Sequence, residues 1–251
     1  MNIDERVLGI DGACGGWAVA TCKNGKAFVQ FFKKIEDVWY FYRDKLELVL
    51  IDIPIGLPHS EKRYRSCDEE ARKFLGHPRS SSIFSPPCRE VFEARDYKEA
   101  LAINKKILGK GLSKQAWNII PKIKEVDEFI IKIPEVVKFL KESHPEVAFK
   151  GLKGEVAKFS KRDEEGYKER MEFLRILFRK FDCEIVEDKI KGLRRDDIVD
   201  ALILLATGLL AIKKEGDICS FPTNFKEKDL LGLPMEIFFV KFSRLNEIFI
   251  E

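Results

Sequence analysis

Along the first 53 positions the apolar residues come in short continuous runs rather than at helical spacing, which predicts strands. Val7-Leu8-Gly9-Ile10, Trp17 to Ala20 and Ala27 to Phe32 read as three successive strands. Asn24-Gly25 lies between the last two, and this dipeptide suits the type I′ turn of a tight hairpin. A helix is expected from about Ile35 to Arg43. A continuous apolar strand rich in β-branched residues then runs from Leu46 to Ile53.

Residues 57–143 break this rhythm. Helical patterns at Cys67–Leu75, Ala94–Ile107, Ala116–Phe129 and Pro134–Lys141 are punctuated by Pro58, Pro78, Pro86-Pro87 and Pro121. Beyond them, Glu146-Val147-Ala148-Phe149 reads as a strand. A helix over about Asp163–Phe181 carries Tyr167, Met171, Leu174 and Phe178 at helical spacing, a stripe that marks a core face. Cys183 to Val186 is a short connecting strand, Asp196 to about Lys214 a helix, Phe221 to Leu233 loop, and Glu236 to Val240 a last strand. Three antiparallel strands, a helix and a strand parallel to the first begin the ribonuclease-H-like order. The expected fold is therefore α/β: a ribonuclease-H-like mixed sheet flanked by helices. It forms a single domain with its core at 1–56 and 144–251 and a helical insertion at 57–143.

Charge changes this picture in one respect. The chain carries 45 Lys and Arg against 42 Asp and Glu, so it is no polycation as a whole. The insertion holds 18 basic residues against 13 acidic, which leaves the core slightly acidic. A basic lobe with an acidic core suits a polyanionic partner held near cations. Charged residues make up 35% of the chain, with Lys and Glu dominant, an enrichment found in proteins that work at high temperature. The six cysteines form no Cys-x-x-Cys pair, and Cys67, His77 and Cys88 are too irregularly spaced for a zinc site. With no secretory signal, reduced thiols in the cytoplasm are expected. The longest apolar run, Ala201 to Ile212, is 12 residues and too short to span a membrane.

The candidate chemistry lies in carboxylates set beside apolar segments. Asp11 follows the first strand. Asp52 lies at the close of the fourth, which Pro54 and Gly56 end sharply. Asp197 and Asp200 share one face of the late helix, and Asp200 abuts Ala201-Leu202-Ile203-Leu204-Leu205. A lone carboxylate in such a setting loses hydration, and several brought together repel unless a cation separates them. Asp196 and Asp197 also suit a helix N-terminus without any metal. Glu146, after His144-Pro145, is a further ligand or base, and His144 is read as structural. Gly12, Gly15 and Gly16 make a hairpin rather than a dinucleotide-binding loop. In the insertion, Arg63, Arg65, Arg72, Arg79 and Arg89 are candidate phosphate contacts, with Lys114, Gln115 and Trp117 adding a stacking surface.

Ile10-Asp11-Gly12 with Gly15-Gly16-Trp17, Ile51 to Pro58, Cys67-Asp68 with Ala71-Arg72, Ser81 to Arg89, Ser113 to Trp117 running on to Asp127, and His144 to Val147 together resemble domain-of-unknown-function family 429. Members of that family are described as predicted ribonuclease-H-like nucleases. The Asp197-x-x-Asp200-Ala201-Leu202 segment is similar to the closing helix of RuvC-type junction resolvases. Arg194-Arg195 stand where those often carry a histidine. The resemblance implies a metal-dependent nuclease acting on DNA or RNA. Asp11, Asp52, Asp197 and Asp200 would hold two Mg²⁺ or Mn²⁺ ions about 4 Å apart, Glu146 would assist, and Arg65, Arg72, Arg79, Arg89 and Lys114 would meet the substrate. A nucleic-acid-binding protein without cleavage is the alternative. An actin-like kinase is a third reading, opposed by the absence of a second Asp-x-Gly hairpin module.

Overall fold

A computed structural model describes residues 5–161 and 163–242. In chain order the elements are β1 (Val7–Ala13), β2 (Gly16–Lys23), β3 (Lys26–Phe32), α1 (Ile35–Tyr42), β4 (Leu48–Ile51), α2 (Ser66–Leu75), α3 (Tyr97–Leu108), α4 (Lys114–Lys132), β5 (Leu140–Glu142), α5 (Pro145–Lys153), α6 (Glu164–Arg179), β6 (Glu184–Ile185), α7 (Arg195–Lys213), β7 (Asp217–Phe221) and β8 (Ile237–Lys241). They divide between two compact units. The first takes the chain up to 52, 135–219 and the chain from 238; the second takes 53–134 and 220–237. Strands β7 and β8 pair as a separate two-stranded sheet.

The first unit is built on a six-stranded sheet in the order β5-β4-β1-β2-β3-β6. β1, β2 and β3 form an antiparallel meander, and β4, β5 and β6 each join in parallel. This is the ribonuclease-H-like arrangement expected from the opening βββαβ pattern. Asn24 and Gly25 both have positive φ, 50° and 70°, as a type I′ turn requires. β1 and β2 lack polar alternation because both faces of the central sheet are covered. Helix α7 is apolar on all sides and is buried from Val199 to Ala211 apart from its ends. It lies against β1, where Gly9 leaves space for it. A Cβ at Gly9 would strike the backbone of Ala201 and Leu205. The core continues through Phe149, Met171, Leu174 and Phe178 of α5 and α6, so the helical stripe is a packing face.

Two assignments differ from the sequence pattern. Glu146 to Phe149 is not a strand but the first turns of α5, with Pro145 at the opening helical positions and His144 as N-cap. Proline's fixed φ and missing N–H suit that position, and they outweigh the strand tendency of Val147. Pro134–Lys141 is not one helix. A 3-10 turn covers Pro134–Lys138, and the chain then enters β5, where pairing with β4 overrides the local helical spacing.

The second unit packs α2, α3 and α4 with two 3-10 turns. α3 is capped by Asp96, which accepts from the Glu99 N–H, and α4 by Ser113, which accepts from the Ala116 N–H. One core cluster gathers Cys88, Val91, Ala100, Leu108, Leu112, Ala116 and Ile120. The stretch read as loop, 221–233, supplies buried carboxylates to this unit. Asp229 accepts from the Leu57 N–H at 3.2 Å, and Glu227 accepts from the Ser66 N–H at 3.1 Å and pairs with Lys62 at 2.6 Å. Among the described residues no helix is long and apolar enough to cross a membrane.

Replacing Gly9 tests the contact that seats α7. Gly9→Ala forces backbone against backbone, where no side chain can rotate away. It should cost about 1–3 kcal/mol or more, read as a lower denaturation midpoint with an unchanged slope.

Candidate active site at the strand ends

The register of the parallel strands sets the site. Ile10 pairs with Ile51, and Ile51 pairs with Glu142. The ladder continues one residue further: the Asp52 N–H donates to the Ile10 carbonyl and the Ser143 N–H to the Ile51 carbonyl, both at 2.9 Å. Asp11, Asp52 and Ser143 therefore stand at matching positions across β1, β4 and β5. Residues two apart on a strand share a face, so Asp11 lies on the side of β1 where Gly9 meets α7. The first turns of α7 bring Asp197 and Asp200 to the same side, because Ala201 is already against Gly9.

Asp11, Asp197 and Asp200 are buried, and Asp52 is half-buried. Lost hydration pushes the Asp11 carboxyl well above the ordinary carboxylate range. The charges of Asp200, Asp52 and Asp197 add to the rise, and Lys161 opposes it. Lost hydration likewise raises Asp52 to about 6 against the pull of Lys161, with Glu146 adding. Asp200 is also raised to about 6 by burial, with Lys161 again lowering it and Asp52 and Glu146 raising it.

The opposing cation is Lys161, in the segment between α5 and α6. Its ammonium donates to Asp200 Oδ2 as a close ion pair. Burial disfavours that ammonium, but Asp200, Asp11 and Asp52 outweigh the penalty and hold Lys161 above its ordinary value. Nothing in the sequence singles out this lysine among 45 basic residues. The Ser143 hydroxyl is wholly buried and has no hydrogen-bond partner among the described residues.

The other expected acids have local tasks. Asp197 accepts from the Arg194 N–H with one oxygen and from its guanidinium with the other, both at 2.9 Å, in a capping box at the start of α7. Asp196 pairs with Arg194 at 3.4 Å. Glu146 is buried and bonded to Arg170 at 2.6 Å. It is close enough to act on Asp52 and Asp200, although it opens a helix rather than a strand. His144 Nδ1 accepts from the Glu146 N–H at 3.2 Å, the structural role expected of it.

In the second unit, the expected substrate contacts Arg65, Arg72 and Arg89 hold the fold. Arg65 is 1% exposed and pairs with Asp68 at 3.4 Å, so its charge is inside and out of reach of a phosphate chain. Arg72 donates to the Ile83 carbonyl and the Ser85 hydroxyl. Arg89 clamps Asp127 through two bonds, at 2.8 and 2.7 Å, and reaches Asp229 at 2.6 Å. Arg79 opens a 3-10 turn and is half-buried. Lys114 is exposed and lies over the Tyr97 ring at 3.4 Å, next to Trp117.

Among the described residues, no group of three or more His, Cys, Asp or Glu side chains is set to hold a metal ion as it stands. The donors near Lys161 nevertheless match a hard cation in kind: they are carboxylate oxygens, with the unpartnered Ser143 hydroxyl beside Asp52. Lys161 supplies one positive charge against the three carboxylates it acts on, Asp11, Asp52 and Asp200. A cleft of about 240 Å³ opens beside it, lined by Lys161, Tyr167, Arg194, Arg195, Asp163 and Asp196 among others.

The pH dependence of Lys161→Gln measures this balance. Asp52 and Asp200 titrate near 6 in the folded state and near 3.9 when unfolded. Folding therefore favours their protonated forms, and stability falls as pH rises through that window. At pH 4.5 the carboxyls are neutral and losing the ammonium should change little. At pH 8, in chelator, the variant should melt about 4–8 °C lower, less than a fully buried pair because Lys161 is partly exposed. Melting curves at both values check this.

A family profile described as "Protein of unknown function (DUF429)" matches residues 9–227. No curated protein and no solved structure matches this chain. The matched span runs from β1 through α7 and includes Asp11, Asp52, Lys161, Asp197 and Asp200; this chain is a member of the DUF429 family.

Proposed function

We propose that this protein is a divalent-metal-dependent phosphodiesterase acting on nucleic acid. The observation that carries the reading is the meeting of Asp11, Asp52 and Asp200 at the ends of β1 and β4 and the start of α7, around the Lys161 ammonium. With carboxyls near 6, Asp52 and Asp200 are mostly ionised at neutral pH and available as ligands. Bound there, Mg²⁺ or Mn²⁺ would acidify a water nucleophile and stabilise the leaving oxygen. Asp197 holds the first turn of α7 in place through Arg194, and Arg170 holds Glu146. Arg194 and Arg195, with side chains 69% and 66% exposed, line the cleft beside Lys161 and would meet phosphates there. In the second unit, Lys114 with Tyr97 and Trp117 offers a cation and aromatic faces to bases. The ammonium on Asp200 favours a second reading, nucleic-acid binding without cleavage, since it partly balances the carboxylates unaided.

Single-stranded, duplex, hybrid and junction substrates incubated with Mn²⁺ or Mg²⁺ decide between them. Cleavage of at least one is expected. Asp200→Asn and Asp11→Asn should reduce it by about 10²-fold or more, the scale on which losing a transition-state interaction is felt, while melting in chelator stays cooperative. Binding that persists with no cleavage by the wild type would establish the second reading.

Metal should also stabilise the fold. At 100-fold excess over Kd one site adds about 2.7 kcal/mol. The Mn²⁺-induced melting shift should be full at pH 7.5, small at pH 5 where Asp52 and Asp200 hold protons, and lost in Asp200→Asn.

A further inference from the structure

Cys22 and Cys183 lie in the first unit, away from the carboxylates, and the proposed function uses neither. Cys22 is on β2, and Cys183 sits between α6 and β6. Their sulfur atoms are 3.1 Å apart, and the residues are 1% and 5% exposed. A disulfide needs sulfurs about 2.05 Å apart, so closure takes an approach of about 1 Å. β6 is only two residues long, lies at the edge of the sheet, and pairs with β3 through Lys26–Glu184 and Ala27–Ile185. The thiol contact thus stands where the most weakly held strand enters the sheet. Cys183 is also among the residues lining a surface cavity of about 550 Å³, with Gly25, Arg175, Arg179 and Glu187, so it is the member of the pair nearer to solvent.

We infer that Cys22 and Cys183 are a redox-active pair that closes to a disulfide when a low-molecular-weight disulfide is supplied. Cys183 loses its proton, and its thiolate attacks one sulfur of the reagent. This forms a mixed disulfide and expels the first small thiolate. The Cys22 thiolate then attacks the Cys183 sulfur, forms the internal S–S bond and expels the second small thiolate. The two protons from the protein thiols end on the two released thiols, and the reagent disulfide is reduced as the protein pair is oxidised. The bond joins positions 161 residues apart in sequence and staples β6 to the meander.

The test treats the full-length protein with oxidised glutathione, denatures it in an alkylating agent and maps the tryptic peptides by mass. Residues 7–23 fall in one tryptic peptide containing both Cys14 and Cys22, so the map is run on Cys14→Ser protein as well as wild type. Cys14 is exposed and takes no part in the pair. The expected result is a link between the Cys22 and Cys183 peptides, with neither of these two residues alkylated or carrying glutathione. The melting temperature should rise by about 5–10 °C and return on adding dithiothreitol. Either residue alkylated or carrying glutathione after oxidation, or a link from either to a third cysteine, overturns the inference. The map needs no change at Cys22 or Cys183, so the outcome does not hinge on whether such variants fold.

Discussion

Carboxylates that have lost water and face one another cannot all ionise unless positive charge is brought to them. In this chain Asp11, Asp52 and Asp200 are held in that condition by backbone. The ladder of β1 and β4 places Asp11 beside Asp52, and Gly9 lets α7 come close enough to bring Asp200 to both. Lys161 brings one charge to all three, and Arg194 acts on Asp11 from the start of α7. Holding these carboxylates together costs folding free energy that apolar residues in their place would not. That imbalance is the physical basis for reading a function into it.

Much of the first unit was legible in the linear pattern. The Asn24-Gly25 turn, the apolar runs of β1 to β4 and the all-round apolar α7 follow from local rules, and they order the sheet. Asp11 and Asp200 were visible because each is a carboxylate beside a strongly apolar run. Asp52 was visible because Pro54 and Gly56 end its strand. What stayed hidden depended on partners far along the chain. β5 exists because β4 offers it an edge. Lys161 matters only because the fold brings it to Asp200. Ser143 joins the row only once the ladder is known. Proline at the start of α5 was a local signal that Val147 obscured.

The insertion illustrates a different limit. Its arginines read as a phosphate-binding set, yet Arg65, Arg72 and Arg89 are engaged with Asp68, with Ile83 and Ser85, and with Asp127 and Asp229. Composition counts a guanidinium as basic wherever it points. A unit of modest size with Asp68, Asp127, Glu227 and Asp229 buried inside it must spend cations on its own interior. Of the 18 Lys and Arg over 57–143, nine are exposed, Lys114 among them, so the basic count overstates what the surface offers.

The reach of Asp229 bears on how the polypeptide leaves the ribosome. Arg89 can pair with Asp127 after 38 further residues, but its bond to Asp229 spans 140, and the Leu57 amide waits 172 residues for the same carboxylate. The second unit therefore has its helices early and its last buried acid late. β5, α7 and β8 likewise come to the first unit only after that helical segment has been synthesised. Neither unit can make its last contacts before the segment from 227 to 241 has emerged, so both complete at nearly the same point of synthesis.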